Sequence, residues 1–135
     1  MKVERITVIG MGYVGLALAL GLASKKYKVI CVDSDEKKIK MLTNDQNYIY
    51  EEGFDECLKE NKDFLDFCTK IPHDKKPDLY FVCVNTPSLN NGACDISRVK
   101  DVIDKFLIFD KETPIIIKST CEVGTSRKFQ KYIYD

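Results

Sequence analysis

Residues 3–38 read VERITVIGMGYVGLALALGLASKKYKVICVDSDEKK, and the run has two readings that send the chain to different compartments. Lys2 and Arg5 make a basic start and Ile6 to Ser24 carry no charge, as the core of a secretory leader would. Glycines at positions 10, 12 and 15 break the run, whereas a leader core is a continuous helix-favouring stretch. The segment YKVICVD that follows is a second β-branched run closing on an acid, for which a cleaved leader has no use. The stretch is therefore read as strand, glycine turn, helix and second strand.

Gly10-Met11-Gly12-Tyr13-Val14-Gly15 is G-x-G-x-x-G, set directly after the apolar run Ile6 to Ile9 and directly before the helix-like run Tyr13 to Lys25. In such a turn the first glycine permits a tight bend. The second removes the side chain that would block a pyrophosphate, and the third lets the helix close on the strand. Amides at the helix start then face the anion with the helix dipole behind them. Asp33 closes the second strand, where a carboxylate accepts both ribose hydroxyls of an adenosine and repels a 2′-phosphate. The expected cofactor is NAD rather than NADP.

The chain has 135 residues, 44% of them hydrophobic and 31% charged, the composition of one ordinary globular domain spanning 1–135. With 21 basic and 21 acidic residues, no electrostatic footprint points to nucleic acid or to an anionic membrane. Nothing after residue 24 is long and apolar enough to span a bilayer. Cys31, Cys57, Cys68, Cys83, Cys94 and Cys121 form no C-x-x-C pair, which argues against zinc. Cys31 and Cys83 lie in apolar runs and read as small buried hydrophobes of a reducing cytoplasm. The single histidine, His73, falls in a polar segment expected to be an exposed loop.

Apolar runs predict strands at about 3–9, 27–33, 65–69, 78–84 and 113–119. Helices fit at about 13–25, 35–43, 53–61, 96–109 and 124–133, with Asp95 and Thr125 as expected N-caps of the last two. Strands this apolar alternating with helices imply an α/β fold, a doubly wound and mainly parallel sheet of the Rossmann type with helices on both faces. Ligands of such sheets sit at the carboxyl ends of the strands. There the sequence places Val84-Asn85-Thr86-Pro87-Ser88 and Ser119-Thr120-Cys121, which should open on the same edge as the glycine turn.

Together the segments VIGMGYVGLALA, VDSDEKKI, IYEEGFDECLKEN, FVCVNTP, GACDISRV and KSTCEVGT resemble the amino-terminal domain of the nucleotide-sugar 6-dehydrogenases. That family includes the UDP-glucose, GDP-mannose and UDP-N-acetylmannosamine dehydrogenases. The resemblance implies that Gly10 to Gly15 hold the pyrophosphate and that Asp33 binds the adenosine ribose with Lys38 beside it. It also implies that Val84 to Ser88 line the cofactor and that Ser119 to Cys121 approach the nicotinamide, Thr120 helping to order the reacting region. Two departures from the family pattern stand out: Glu52 stands where proline is usual, and Cys121-Glu122 where Val-Pro is common.

The family reaction is a two-step oxidation at C6 of a nucleotide sugar by NAD through a cysteine thiolate. By the resemblance that cysteine, its assisting lysine and asparagine, and the sugar-nucleotide pocket match nothing in these residues. The expectation is thus an NAD-binding domain, inactive alone, with a sugar nucleotide as partner only of the longer parent. Surfaces bared by missing domains are expected to favour self-association. The alternatives are a stand-alone, non-catalytic NAD-binding or subunit-interaction module and a relative of the hydroxyacid and phosphogluconate dehydrogenases.

Overall fold

The computed structural model describes all 135 residues. Its strands are β1 (Arg5–Ile9), β2 (Lys28–Val32), β3 (Leu65–Cys68), β4 (Leu79–Val82) and β5 (Ile115–Ile117). Its helices are α1 (Tyr13–Ser24), α2 (Glu36–Thr43), α3 (Phe54–Glu60), α4 (Ser97–Val102) and α5 (Thr125–Tyr134). The strands form one sheet in the order β3-β2-β1-β4-β5, and every pairing is parallel. Chain order reverses between β1 and β4, so the carboxyl ends of those two strands mark the switch point where a doubly wound sheet opens a crevice.

Alternation along the strands explains why both faces are covered. Ile6, Val8, Val29 and Cys31 join Leu16, Ala19, Leu20, Ala23, Leu42 and Leu58 of α1, α2 and α3 in one core. The residues between them, Ile9, Ile30, Val32, Tyr80 and Val82, meet Val99, Ile103, Leu107, Phe129 and Ile133 of the other helices in a second. A period of two on a sheet buried on both sides gives continuous apolar strands, as the sequence shows.

Three local expectations need correction. The helix expected over 96–109 is α-helical only to Val102 and continues as a π-helical turn over Ile103–Leu107, with Ile108 N–H donating to the Ile103 carbonyl at 2.8 Å. Apolar spacing does not encode which carbonyl an amide selects, so the change of winding was hidden. Asp95 is not the N-cap residue, which is Ile96; its Oδ1 accepts the Ser97 N–H at 3.0 Å from one position further out. Likewise Gly124, at φ 91°, is the N-cap of α5, and the Thr125 hydroxyl donates to the Glu122 carbonyl at 2.7 Å. A left-handed N-cap suits glycine and leaves threonine to the first helical position.

The inner strand carries one flaw. Thr7 is 0% exposed in the middle of β1, registered between Ile30 and Tyr80, and its hydroxyl has no hydrogen-bond partner. A buried polar group left unpaired costs about 1–3 kcal/mol. Thr7→Val, which keeps the branched shape, is expected to raise unfolding stability by about 1 kcal/mol. Urea denaturation with an unchanged or lowered midpoint would show that the hydroxyl is satisfied in solution.

Candidate functional site

The glycine turn is bound to both neighbouring strands by backbone. Gly10 N–H donates to the Val32 carbonyl at 2.7 Å and Cys83 N–H to the Ile9 carbonyl at 2.7 Å. Gly10 has φ 99°, and a Cβ there would stand 2.8 Å from the Cys83 carbonyl group. A Cβ at Gly15 would overlap the Gly10 carbonyl oxygen and lie 3.3 Å from the Cys83 side chain. These two glycines therefore serve the close packing of α1 on β1 and β4.

Gly12 is different. Its φ of −75° and ψ of −165° are open to any residue, and an added Cβ would meet only Asn85 Oδ1, at 3.7 Å. Nothing within the protein asks for glycine at this position. The helix it opens is also left unfinished: α1 has no side-chain cap and no acid in its first turn, whereas α2 is capped by Asp35 Oδ1 at 2.9 Å from Lys37 N. An uncapped first turn presents N–H groups and the positive end of the helix dipole to an anion.

In front of it lies a cleft of about 620 Å³. Gly12, Tyr13 and Val14 form one wall; Val84, Asn85, Thr86, Pro87 and Ser88 after β4, and Ser119 and Thr120 after β5, form the others. The two loops are locked together, the Thr86 hydroxyl donating to the Thr120 carbonyl at 2.6 Å and the Ser119 hydroxyl to the Val84 carbonyl at 2.6 Å. Thr120 takes part in this junction through its backbone carbonyl. Cys83, Cys94, Arg98 and Lys118 complete the lining, so the only charged side chains in it are two cations. The sequence reading had not assigned Arg98 or Lys118 to the site, although each sits inside a recognised segment, DISRV or KST.

The remaining candidates stand apart from this cleft. Met11 is 0% exposed and its side chain belongs to the first core, so it offers only its peptide groups. Asp33 lies on the β2 side, Oδ2 accepting the Met11 N–H and Oδ1 the Asp35 N–H, each at 2.8 Å. Each oxygen keeps lone-pair capacity for a further donor. The Lys38 ammonium sits 5.6 Å from the ring centre of Tyr48, whose hydroxyl donates to the Met11 carbonyl. Cys121 does not face the cleft but lines a neighbouring cavity of about 930 Å³ between β5 and α5. Tyr48 belongs to no motif, so nothing in the sequence marks it.

None of the shifted thiols is activated. All six cysteines are free. Burial pushes Cys31 and Cys68 up, Cys83 to about 11, and Cys121 up as well, the nearby Cys94 adding to the last. A nucleophilic thiol needs the opposite shift.

The comparisons agree on a single family. Residues 4–135 match the family model described as UDP-glucose/GDP-mannose dehydrogenase family, NAD binding domain. The chain is 39% identical to the uncharacterized protein MJ1054 of Methanocaldococcus jannaschii, with 96% of this chain and 15% of that protein covered. It is 37% identical to a UDP-N-acetyl-D-mannosamine dehydrogenase of Methanococcus vannielii, with 99% of this chain and 31% of that protein covered. The solved structure of the UDP-N-acetyl-mannosamine dehydrogenase Cap5O from Staphylococcus aureus superposes with a TM-score of 0.88 at 31% identity, covering 96% of this chain and 32% of that one. The chain thus spans less than a third of the length of these two curated relatives.

Gly15→Ala is expected to destabilise the fold by about 1–3 kcal/mol, the usual cost of overpacking, because its Cβ meets rigid backbone. Thermal unfolding without ligand reads this directly. A midpoint equal to that of the unsubstituted chain would mean that α1 can move off the turn.

Proposed function

The chain belongs to the UDP-glucose/GDP-mannose dehydrogenase family as an NAD-binding domain, and from that premise we propose how its residues share the cofactor. The diphosphate rests on the amides of Gly12, Tyr13 and Val14, with Gly10, Met11 and Gly15 shaping the turn beneath it. Asp33 accepts the adenosine ribose hydroxyls with the lone pairs left over by Met11 and Asp35, and Lys38 lies beside it. Val84, Asn85, Thr86, Pro87 and Ser88 bracket the nicotinamide half from one loop and Ser119, Thr120 and Cys121 from the other, Cys121 from behind the cleft wall. When bound, NAD supplies a hydride acceptor; the protein's part is to hold it with its reacting face over the β4 and β5 loops.

Gly12 carries this reading. Its glycine is explained neither by backbone conformation nor by a protein neighbour, which leaves a bound group as the reason for the missing side chain. Gly12→Val should therefore abolish NAD binding while far-UV circular dichroism stays the same, and normal NAD binding by that variant in titration calorimetry would remove the diphosphate from the turn. Asp33→Ala should weaken NAD by about 1–3 kcal/mol, the scale of lost charged hydrogen bonds, and reduce discrimination against NADP. Equal affinity of the unsubstituted chain for both cofactors would sink the ribose assignment.

For the protein as a whole we propose the family's chemistry, NAD-dependent oxidation of a nucleotide sugar at C6 to the uronic acid, carried out in the cytoplasm. We place the nucleophile and the sugar site outside these residues, and the raised Cys83 and Cys121 thiols support that neither of these two is the nucleophile. The 135-residue chain, incubated with NAD and a panel of UDP- and GDP-sugars, is expected to give no rise in NADH absorbance. Turnover that disappears in Cys121→Ser would instead assign the nucleophile to Cys121.

A further inference from the structure

The loop between α2 and α3 returns to the glycine turn at a single polar contact. Tyr48, half-buried, donates its hydroxyl hydrogen to the carbonyl oxygen of Met11 across 37 residues of sequence. The Met11 carbonyl and the Gly12 N–H belong to one peptide unit, which is planar and trans, so fixing the direction of the oxygen fixes the opposite direction for the hydrogen. The preceding unit is fixed as well, since the Met11 N–H is held by Asp33 Oδ2 at 2.8 Å. Two successive peptide planes of the turn are thereby pinned by side chains from other segments, one from the end of β2 and one from the loop.

Pinning the plane has an electrostatic consequence. A hydrogen bond accepted at the carbonyl polarises the amide and strengthens the N–H on the other side as a donor. Gly12 lines the cleft together with Tyr13 and Val14, and a Cβ there would have space around it, so an N–H turned to that side meets open room. The Tyr48 ring is steadied in turn by the Lys38 ammonium 5.6 Å from its centre. Burial and the neighbouring Asp33 carboxylate both push the Tyr48 hydroxyl upward from its ordinary range, so it remains a protonated donor at neutral pH.

We propose that Tyr48 is a positioning residue of the cofactor site, its hydroxyl holding the Met11–Gly12 peptide so that the Gly12 N–H is aimed and polarised toward the diphosphate of NAD. The proposal rests on the cofactor reading above and adds to it a residue that touches no ligand. Its action is on the diphosphate, so NAD and ADP-ribose should respond alike.

The test compares the unsubstituted chain with Tyr48→Phe, which deletes only the hydroxyl. Calorimetric titration is expected to show affinity for NAD and for ADP-ribose falling together by about 3–10-fold, the effect of one hydrogen bond. In the ligand-free variant the Gly12 amide resonance should move, and its downfield shift on adding ADP-ribose should shrink, which a merely structural role would not produce. The ligand-free unfolding midpoint should stay within a few degrees of the original. Unchanged affinity in Y48F overturns the proposal, as does lost affinity with the Gly12 resonance unmoved, and as does a variant that no longer folds. If the unsubstituted chain itself fails to bind NAD, the cofactor reading fails; if it binds and Y48F binds equally, only the role of Tyr48 fails.

Discussion

Everything at the carboxyl edge of the sheet depends on how closely α1 approaches β1 and β4. The Gly15 backbone rests on the Gly10 carbonyl and Gly10 rests on the Cys83 carbonyl group, three segments meeting where no side chain intervenes. Glycine is required at 10 by its positive φ as well as by this contact. Because the helix starts so near the strand ends, its first turn projects into the crevice between β1 and β4. A helix held off by even one methyl group would carry its amides away from the loops they face, and the cleft would lose its depth.

The sheet beneath is built to hold that geometry. β1 is central, bonded to β2 along five registered pairs and to β4 along four, and both its faces are covered by helices. Four of its five residues are buried, and a strand so enclosed is expected to open only with the whole fold. At the far edge β5 has only three residues and Ile116 is partly exposed, so order is supplied there by side chains. Ser119 and Thr86 cross from one loop to the other and hold the wall of the cleft in place of a longer ladder.

How much of this is legible in sequence follows from the range of each interaction. The glycine turn, the strands around it and the acid closing β2 are local patterns, and they fall where the sequence places them. Val84 to Ser88 and Ser119 to Thr120 gather at one cleft because parallel strands bring all their carboxyl ends to one edge, a rule that needs no coordinates. What stays hidden depends on side-chain direction. Met11 turns into the core, Cys121 turns toward the β5 edge, and Tyr48 reaches back over 37 residues to a carbonyl. No periodicity signals a hydroxyl in a loop that bonds to backbone elsewhere, and the π-helical turn after Val102 is hidden for the same reason, being a choice among carbonyls.

The placement of charge divides the site into two halves with different tasks. On the β2 side the carboxylate of Asp33 is held by two amides, an arrangement that favours neutral hydroxyl donors and rejects a further anion. On the β4 and β5 side Arg98 and Lys118 line the cleft without an acid among the other lining residues and without an ion pair of their own, in a chain whose total charge is balanced. The uncapped end of α1 lies between the halves and adds its own positive potential. In the arrangement proposed above, a dinucleotide laid across this field would set the hydroxyls of one ribose at the carboxylate and its diphosphate at the helix end, and a 2′-phosphate on that ribose would stand against Asp33. In that proposal the division of charge sets the register of the diphosphate along the sheet edge, and the half of the dinucleotide beyond it reaches the β4 and β5 loops.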